Sequence, residues 1–471
     1  MSTPHRMTFA CLFAALACSL PTATLAEEIH AGIAEVDITP PDGYRMSGYF
    51  RERLSTGTHD PLLAKAIYLH QGETEAALVF CDLIGVPLAV SQGARKQASA
   101  ATELPAQNIL IAATHSHTGP LYYGSLREHF HFQAIVAEGK DKAESVNFAD
   151  QLREKLAQAI QTAKENARPV TLAAGYAEQQ GLSFNRRFHM KDGTVRFNPG
   201  KLNPDIVRVA GPIDPEVGLL LLRDAEGEMP LACLTTFALH LDTVGGTEYA
   251  ADFPYYLAQS LQKQYGESFT SLFAAGTCGD INHIDVSHDR PQKGHEEAER
   301  IGAALGETVI ARLKELPLIG EPQLAVRSAT IDVPLQTFSE DEVANARRDM
   351  NKIGTRDLSF LDQVKTNKIV DVALRESETL SLDVQVFRLS SDVALVGLPG
   401  EVFVDLGLAI KSASPFKTTI VMELCNDAPA YIPTKKAFAE GSYETINTRI
   451  APGGGERMVE MAIELLKSLE E

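Results

Sequence analysis

The residues best suited to chemistry sit at the ends of apolar runs. Ile109–Ala113 is apolar and strand-like, runs into Thr114-His115-Ser116-His117 and stops at Gly119-Pro120. In an extended strand, residues two apart point to the same side, so both imidazoles can meet at one point at the strand end. Neutral imidazole is a favoured zinc ligand, although a lone His-x-His pair also suits a polar loop mouth. A second run, residues 235–239, delivers His240 and then Asp242. Taken singly, such a histidine is more often a core or loop residue. A third run, residues 395–398, ends in Pro399-Gly400-Glu401 ahead of a helical stretch. A glutamate there also favours the positive end of that helix. A fourth segment, residues 426–434, is a proline-bearing loop that carries Tyr431. Three strands that end in His, His and Glu together describe a metal site built from distant segments. Two imidazoles and a carboxylate leave a position open for water.

The elements that must position these residues alternate along the chain. Residues 29–38, 62–71, 75–86, 108–114 and 170–177 have the β-branched, apolar character of strands, and 219–224 with 229–239 reads as a hairpin. Later strands are expected at 324–333, 380–389, 393–398 and 418–423. Helical periodicity or composition marks 148–167, 255–265, 296–315, 339–350, 402–412 and 455–469. The two kinds interleave, but not as eight even βα units. The expected fold is one large α/β domain with mixed β-sheets flanked by helices.

Bulk properties narrow the function. The chain has 471 residues, 44% of them hydrophobic and 22% charged, which fits a globular protein rather than a disordered one. A net charge of -19 repels phosphate backbones, so nucleic acid is not an expected partner. Arg6, the apolar residues 7–20 and the small residues around Thr24-Leu25-Ala26 predict a secretory signal over residues 1–26. The expected mature domain is 27–471, exported to the periplasm or beyond, and no later stretch is long and apolar enough to span a bilayer. Cys81, Cys233, Cys278 and Cys425 are far apart and form no CxxC pair, which points to buried free thiols.

A set of short motifs covers nearly the whole of residues 27–471. It comprises Ala31 to Pro40, Met46-Ser47-Gly48-Tyr49, His59-Asp60-Pro61-Leu62, Cys81-Asp82-Leu83, Thr114 to Pro120, Asn185-Arg186, Asp214 to Gly218, Phe237-Ala238-Leu239-His240, Phe273 to Asn282, Pro399-Gly400-Glu401 and Tyr431-Ile432-Pro433-Thr434. The set resembles the catalytic domain of the neutral/alkaline non-lysosomal ceramidases. The resemblance implies His115, His240, Glu401 and Tyr431 as zinc ligands, His117 beside the metal handling protons, and Arg186 at the polar end of the substrate. It also draws the loop residues Gly276 and Thr277 toward the substrate. Asp252 is expected to orient His240, to touch substrate, or simply to cap the helix that follows. His283 directly follows the Gly-Asp loop.

The sequence departs from the family at two points. Family ceramidases carry a serine where the aligned position here is Gly276, and an immunoglobulin-like domain after the catalytic one, whereas these residues end at Glu471. The implied activity is zinc-dependent hydrolysis of a carbon–nitrogen amide bond. Its substrate would be a lipid or small-molecule N-acyl compound such as N-acylsphingosine. A zinc esterase, a hydrolase of glycan-derived compounds, and a non-catalytic, zinc-stabilised binding protein are the alternatives.

Overall fold

The computed structural model describes residues 27–227 and 229–470, so the expected signal at 1–26 lies outside the described residues. Its largest element is an eight-stranded sheet, ordered Thr270–Ala275, Pro230–Phe237, Glu216–Asp224, Arg168–Glu178, His30–Asp37, Leu63–Gln71, Thr74–Cys81 and Ile109–Ala113. A four-stranded sheet is ordered Ala325–Pro334, Thr379–Arg388, Val393–Gly397 and Thr418–Met422. Both sheets are mixed. Parallel pairing joins Thr74–Cys81 to Ile109–Ala113, Pro230–Phe237 to Thr270–Ala275, and Val393–Gly397 to Thr418–Met422.

Side-chain alternation along the strands assigns the layers. Leu78, Phe80, Leu110 and Ala112 of the large sheet face the small sheet and share a core with Phe387, Leu395, Ile420 and Met422. The alternate residues Ala77, Val79, Ile109 and Ile111 face the helices Leu88–Thr102 and Phe148–Glu165. Further along the same outer face, Leu219, Leu221 and Phe237 meet Phe253–Tyr265 and His295–Leu313. On the far side of the small sheet, Val384, Val396 and Val421 meet Val404–Ala413 and Gly454–Ser468. The order is therefore helices, sheet, sheet, helices. Each fully buried Leu or Ile contributes about 1.5–3 kcal/mol. Gly397 lets the two sheets approach closely at this point, because a Cβ there would lie 2.4 Å from Leu110 Cδ1.

The expected α/β architecture and its principal strands are present, and three local differences have physical causes. The strand expected over 75–86 ends at Cys81, since the Asp82 carboxylate takes the Leu63 N–H at 3.0 Å and Leu83 N–H turns back to Cys81 O at 2.7 Å. The helices Leu88–Thr102, Gly124–Glu138 and Phe360–Ala373 were not legible from periodicity. Phe360–Ala373 buries Thr366, Asn367 and Lys368 beside Val364 and Ile369, so its inward face carries no apolar stripe. The extended pair His-x-His is the third difference. Strand Ile109–Ala113 stops before it, and His115 adopts a left-handed backbone with φ 80°.

The parallel strands of both sheets end at one edge. There Ala113 N–H donates to Leu424 O, Glu423 N–H to Ala275 O, and Gly279 N–H to Val402 O. Ligand sites in α/β proteins collect at such carboxyl ends.

Candidate active site

Backbone hydrogen bonds, not strand alternation, bring the imidazoles together. Thr114 N–H binds Cys81 O at 2.8 Å, His115 N–H binds Leu83 O at 2.9 Å, and His117 N–H binds Leu241 O at 3.2 Å. The result places His115 Nε2 2.9 Å from His240 Nε2 and 3.4 Å from His117 Nε2. Glu401 follows the turn at Gly400, where φ is 81°, and its Oε2 lies 3.4 Å from His115 Nε2 and 3.8 Å from His240 Nε2. Tyr431 pairs with Glu401 across the short parallel ladder of Glu401–Val402 and Tyr431–Ile432, so its phenol stands beside the carboxylate.

The hydrogen-bond partners of the rings suit this cluster to a cation. His115 Nδ1 faces Ile84 O at 2.8 Å and His240 Nδ1 faces Cys278 O at 3.4 Å, so each ring carries its proton on Nδ1 and points a bare Nε2 at the other. Two lone pairs 2.9 Å apart, with a carboxylate oxygen beside them, repel unless a positive charge joins them. Glu401 Oε2 is buried and has no hydrogen-bond donor among the described residues. Burial, reinforced by His115, holds the His240 pKa well below the usual imidazole range and pushes that of His117 down to about 4. Burial opposes the charged forms of His115 and Glu401 as well, but their mutual attraction wins, raising one pKa and lowering the other. The neutral His117 and His240 and the ionised Glu401 are already in the forms that bind a metal, whereas His115, held toward its charged form by Glu401, would give up a proton to a bound cation. His115, His117 and His240 also stand within metal-binding reach of one another.

The remaining expected residues surround the cluster differently. Arg186 is buried, donates from Nε to Glu444 Oε1 at 2.9 Å and from Nη2 to Gly279 O at 2.8 Å, and stacks 5.4 Å from the Tyr431 ring centre. It does not line the cleft. Its guanidinium instead packs against the Tyr431 ring and engages Glu444 and Gly279. Asp252, Gly276 and Thr277 do not line the cleft either. Asp252 caps Phe253–Tyr265 through Phe253 N–H at 2.7 Å and takes Val244 N–H at 2.8 Å. Gly276 is packed against the strand that leads to His240, where an added Cβ would lie 2.9 Å from Ala238 N. Thr277 points its hydroxyl at Gly407 of helix Val404–Ala413. His283 is buried, with Nε2 on Gln292 O at 2.7 Å and Nδ1 facing Asp242 at 3.3 Å.

A cleft of about 580 Å³ opens onto His115, His117, Glu401 and Tyr431, within the usual range for small-molecule sites. Sequence reasoning missed part of its surroundings. Glu423 was read only as the last residue of a strand. It is fully buried, accepts from Val402 N–H at 2.7 Å and Cys278 N–H at 3.1 Å, and so ties the Glu401 turn to the loop that faces His240. The four expected thiols are buried and free.

Residues 29–251 match the family model for neutral/alkaline non-lysosomal ceramidase, N-terminal. The neutral ceramidase of Pseudomonas aeruginosa is 24% identical over 283 residues, which is 57% of this chain and 39% of that protein. The chain thus matches about two fifths of the length of this curated relative. A crystal structure of neutral ceramidase from Pseudomonas aeruginosa superposes with a TM-score of 0.71 at 18% identity, over 94% of this chain and 75% of that one. A structure described as ceramidase complexed with C2 gives 0.68 at 17% identity, again over 94% and 75%. Residues 29–251 are thus similar in sequence to the neutral/alkaline non-lysosomal ceramidases, and nearly the whole chain shares the fold of the neutral ceramidase structures.

Proposed function

We propose that the protein is an exported, zinc-dependent hydrolase that cleaves the carbon–nitrogen amide bond of N-acyl compounds, ceramide among them. The observation that carries this reading is the pair of bare Nε2 atoms of His115 and His240, 2.9 Å apart beside the unpartnered Glu401 Oε2. His115, His240, Glu401 and Tyr431 would hold the ion. When bound, zinc polarises a carbonyl and makes a water molecule acidic near neutral pH.

The chain's own groups supply the rest. His117 lines the cleft and is neutral at pH 7, so it can take a proton from the attacking water. The same Nε2 returns that proton to the amine as the C–N bond breaks, leaving a carboxylic acid and a free amine. Burial and Glu401 raise the Tyr431 phenol well above its ordinary pKa, so it stays protonated and can donate to a developing oxyanion. Arg186 and Tyr443 fix that phenol by packing on its ring, 5.4 Å away in each case. No hydroxyl at position 276 is required.

The test is a hydrolysis screen of the zinc-loaded protein against ceramides, N-acyl amino acids, N-acyl sugars and simple esters, with metal content measured in parallel. Chelator-sensitive amide cleavage is the expected result. Turnover that survives complete metal removal, or esterase activity alone, would reject the reading. Export rests on Arg6 and residues 7–20; a mature N-terminus at Glu27 in the exported fraction checks it. Among the described residues, no helix is long and apolar enough to cross a membrane.

A further inference from the structure

The cleft has two chemically different walls, and their arrangement speaks to what it binds. Phe50, Leu121 and Leu126 line it and belong to one apolar cluster. Opposite chemistry leads away from the ligand cluster. Tyr431 packs on Tyr443 at 5.4 Å, and Asn447 Nδ2 donates to the Tyr443 hydroxyl at 3.2 Å. Arg449 Nη1 then donates to Asn447 Oδ1 at 2.9 Å and its Nε to Asp371 Oδ2 at 2.9 Å. The series ends at Arg375, whose Nη2 reaches the same Asp371 Oδ2 at 3.3 Å. All of these side chains line the cleft.

At the end of this wall two acids and two arginines match in number but not in contact. One carboxylate oxygen of Asp371 serves two guanidiniums. Asp427, the other acid nearby, spends its Oδ1 on the N–H groups of Leu88 and Ala428 at 2.9 and 2.8 Å. Glu376 and Glu378 flank Arg375 in sequence but do not line the cleft. Arg449 is nearly enclosed, whereas Arg375 keeps 34% of its side chain exposed and, among the described residues, has one long contact to an acid. Its remaining N–H groups are available for a bidentate contact with a planar anion. A pair of arginines lining a cleft is notable on a chain of net charge -19, where a general basic surface is not the explanation.

We propose that the cleft selects amides whose amine portion carries a carboxylate, with the acyl chain against Phe50, Leu121 and Leu126 and the carboxylate on Arg375, supported by Arg449. This substrate class rests on the amide-hydrolase reading above. It differs from a neutral ceramide in the charge at the polar end. The bland alternative is that Arg375 only braces Asp371, the residue that ties helix Phe360–Ala373 to the segment that carries Arg449.

The experiment compares matched substrates. N-lauroyl-glycine and N-lauroyl-6-aminohexanoate place the carboxylate near and far, and their carboxamides are the neutral partners. For the wild-type zinc protein, kcat/KM should favour at least one acid over its carboxamide by about tenfold or more, the scale of one charge-assisted hydrogen bond. In Arg375→Met this ratio should fall toward one, and in Arg375→Glu it should invert. A purely structural tie would lower both rates together and leave the ratio unchanged, which overturns the proposal, as does a wild-type ratio near one for both pairs. If no amide is turned over, the amide-hydrolase reading has failed by itself. Calorimetric binding of the same four compounds then decides the inference. Tighter binding of an acid, lost in Arg375→Met, upholds the anion subsite, and equal binding refutes it.

Discussion

Geometry alone makes three imidazoles candidates for the metal, whereas the family resemblance names only two, and a series of alanine variants separates these. His115, His117 and His240 stand within coordinating reach of one another. The carboxylate breaks the tie, because Glu401 Oε2 approaches His115 at 3.4 Å and His240 at 3.8 Å and makes no such approach to His117. A complete four-ligand zinc site is worth about 10–16 kcal/mol in apparent binding, so one ligand carries roughly 2.5–4 kcal/mol. That is about 10² to 10³ in Kd. His115→Ala, His240→Ala and Glu401→Ala should each weaken zinc binding by about that factor, read by competition with a chromogenic chelator. His117→Ala should weaken it by less than about tenfold and yet lower kcat by about 10² to 10⁴, the usual span for a lost proton-transfer group. If His117→Ala loses zinc as heavily as His115→Ala, the three imidazoles are the ligand set and the proton-transfer role assigned to His117 is wrong.

Three further outcomes probe the scaffold. Glu444 is fully enclosed and binds both Arg186 Nε at 2.9 Å and Arg187 Nη1 at 2.8 Å, so Glu444→Ala strands two buried guanidiniums and should cost about 3–5 kcal/mol in urea unfolding; a loss under about 1 kcal/mol would show that water already reaches them. Gly276→Ser, which restores the family residue, should destabilise by about 1–3 kcal/mol, because its Cβ would crowd Ala238 N two residues before His240; unchanged stability would mean the 274–280 loop yields freely. Burial pushes the Asp280 carboxyl up to about 6 from an ordinary 3.8. Between those values the folded protein holds a proton that the unfolded chain has released, so stability falls as pH rises through the window and levels off above it. Relative to Asp280→Asn, the wild type should lose on the order of 2–3 kcal/mol between pH 4 and pH 7 in denaturant titrations, and a flat difference would contradict the shift.

The sequence exposed the positions of His115, His240 and Glu401 because each ends an apolar run, and such runs do become buried strands here. It hid the polar wall of the cleft. Asp371 and Arg449 meet across 78 positions, and the helix that carries Asp371 buries Asn367 and Lys368, so neither spacing nor periodicity announces the contact. Arg186 was visible as a motif residue, but only packing reveals that Glu444 and Gly279 engage it behind Tyr431. In each case what failed to show was a long-range polar contact, while the apolar patterning that sets the layers was readable.

The backbone at the site was equally hidden, and it explains how the candidate ligands converge. His115, Leu424, Asn426 and Ala430 all have positive φ, between 56° and 80°, although none is glycine. Such conformations cost about 1–3 kcal/mol each and persist only where the surroundings over-determine them. Here the restraints are specific. Asn426 takes Ile111 N–H on Oδ1 at 3.0 Å and gives Nδ2 to Gln385 Oε1 at 2.9 Å, which pins the segment after strand Thr418–Met422 to the strand that leads to His115. Ala430 O accepts Glu401 N–H at 3.0 Å, which sets the carboxylate opposite Tyr431. His115 itself is fixed at N–H by Leu83 O and at Nδ1 by Ile84 O. The two sheets are therefore clamped at the edge where their strands end, and the strain is held by hydrogen bonds that come from both. A flexible edge would let the two Nε2 lone pairs move apart; the clamp keeps them facing, which is the arrangement a cation requires.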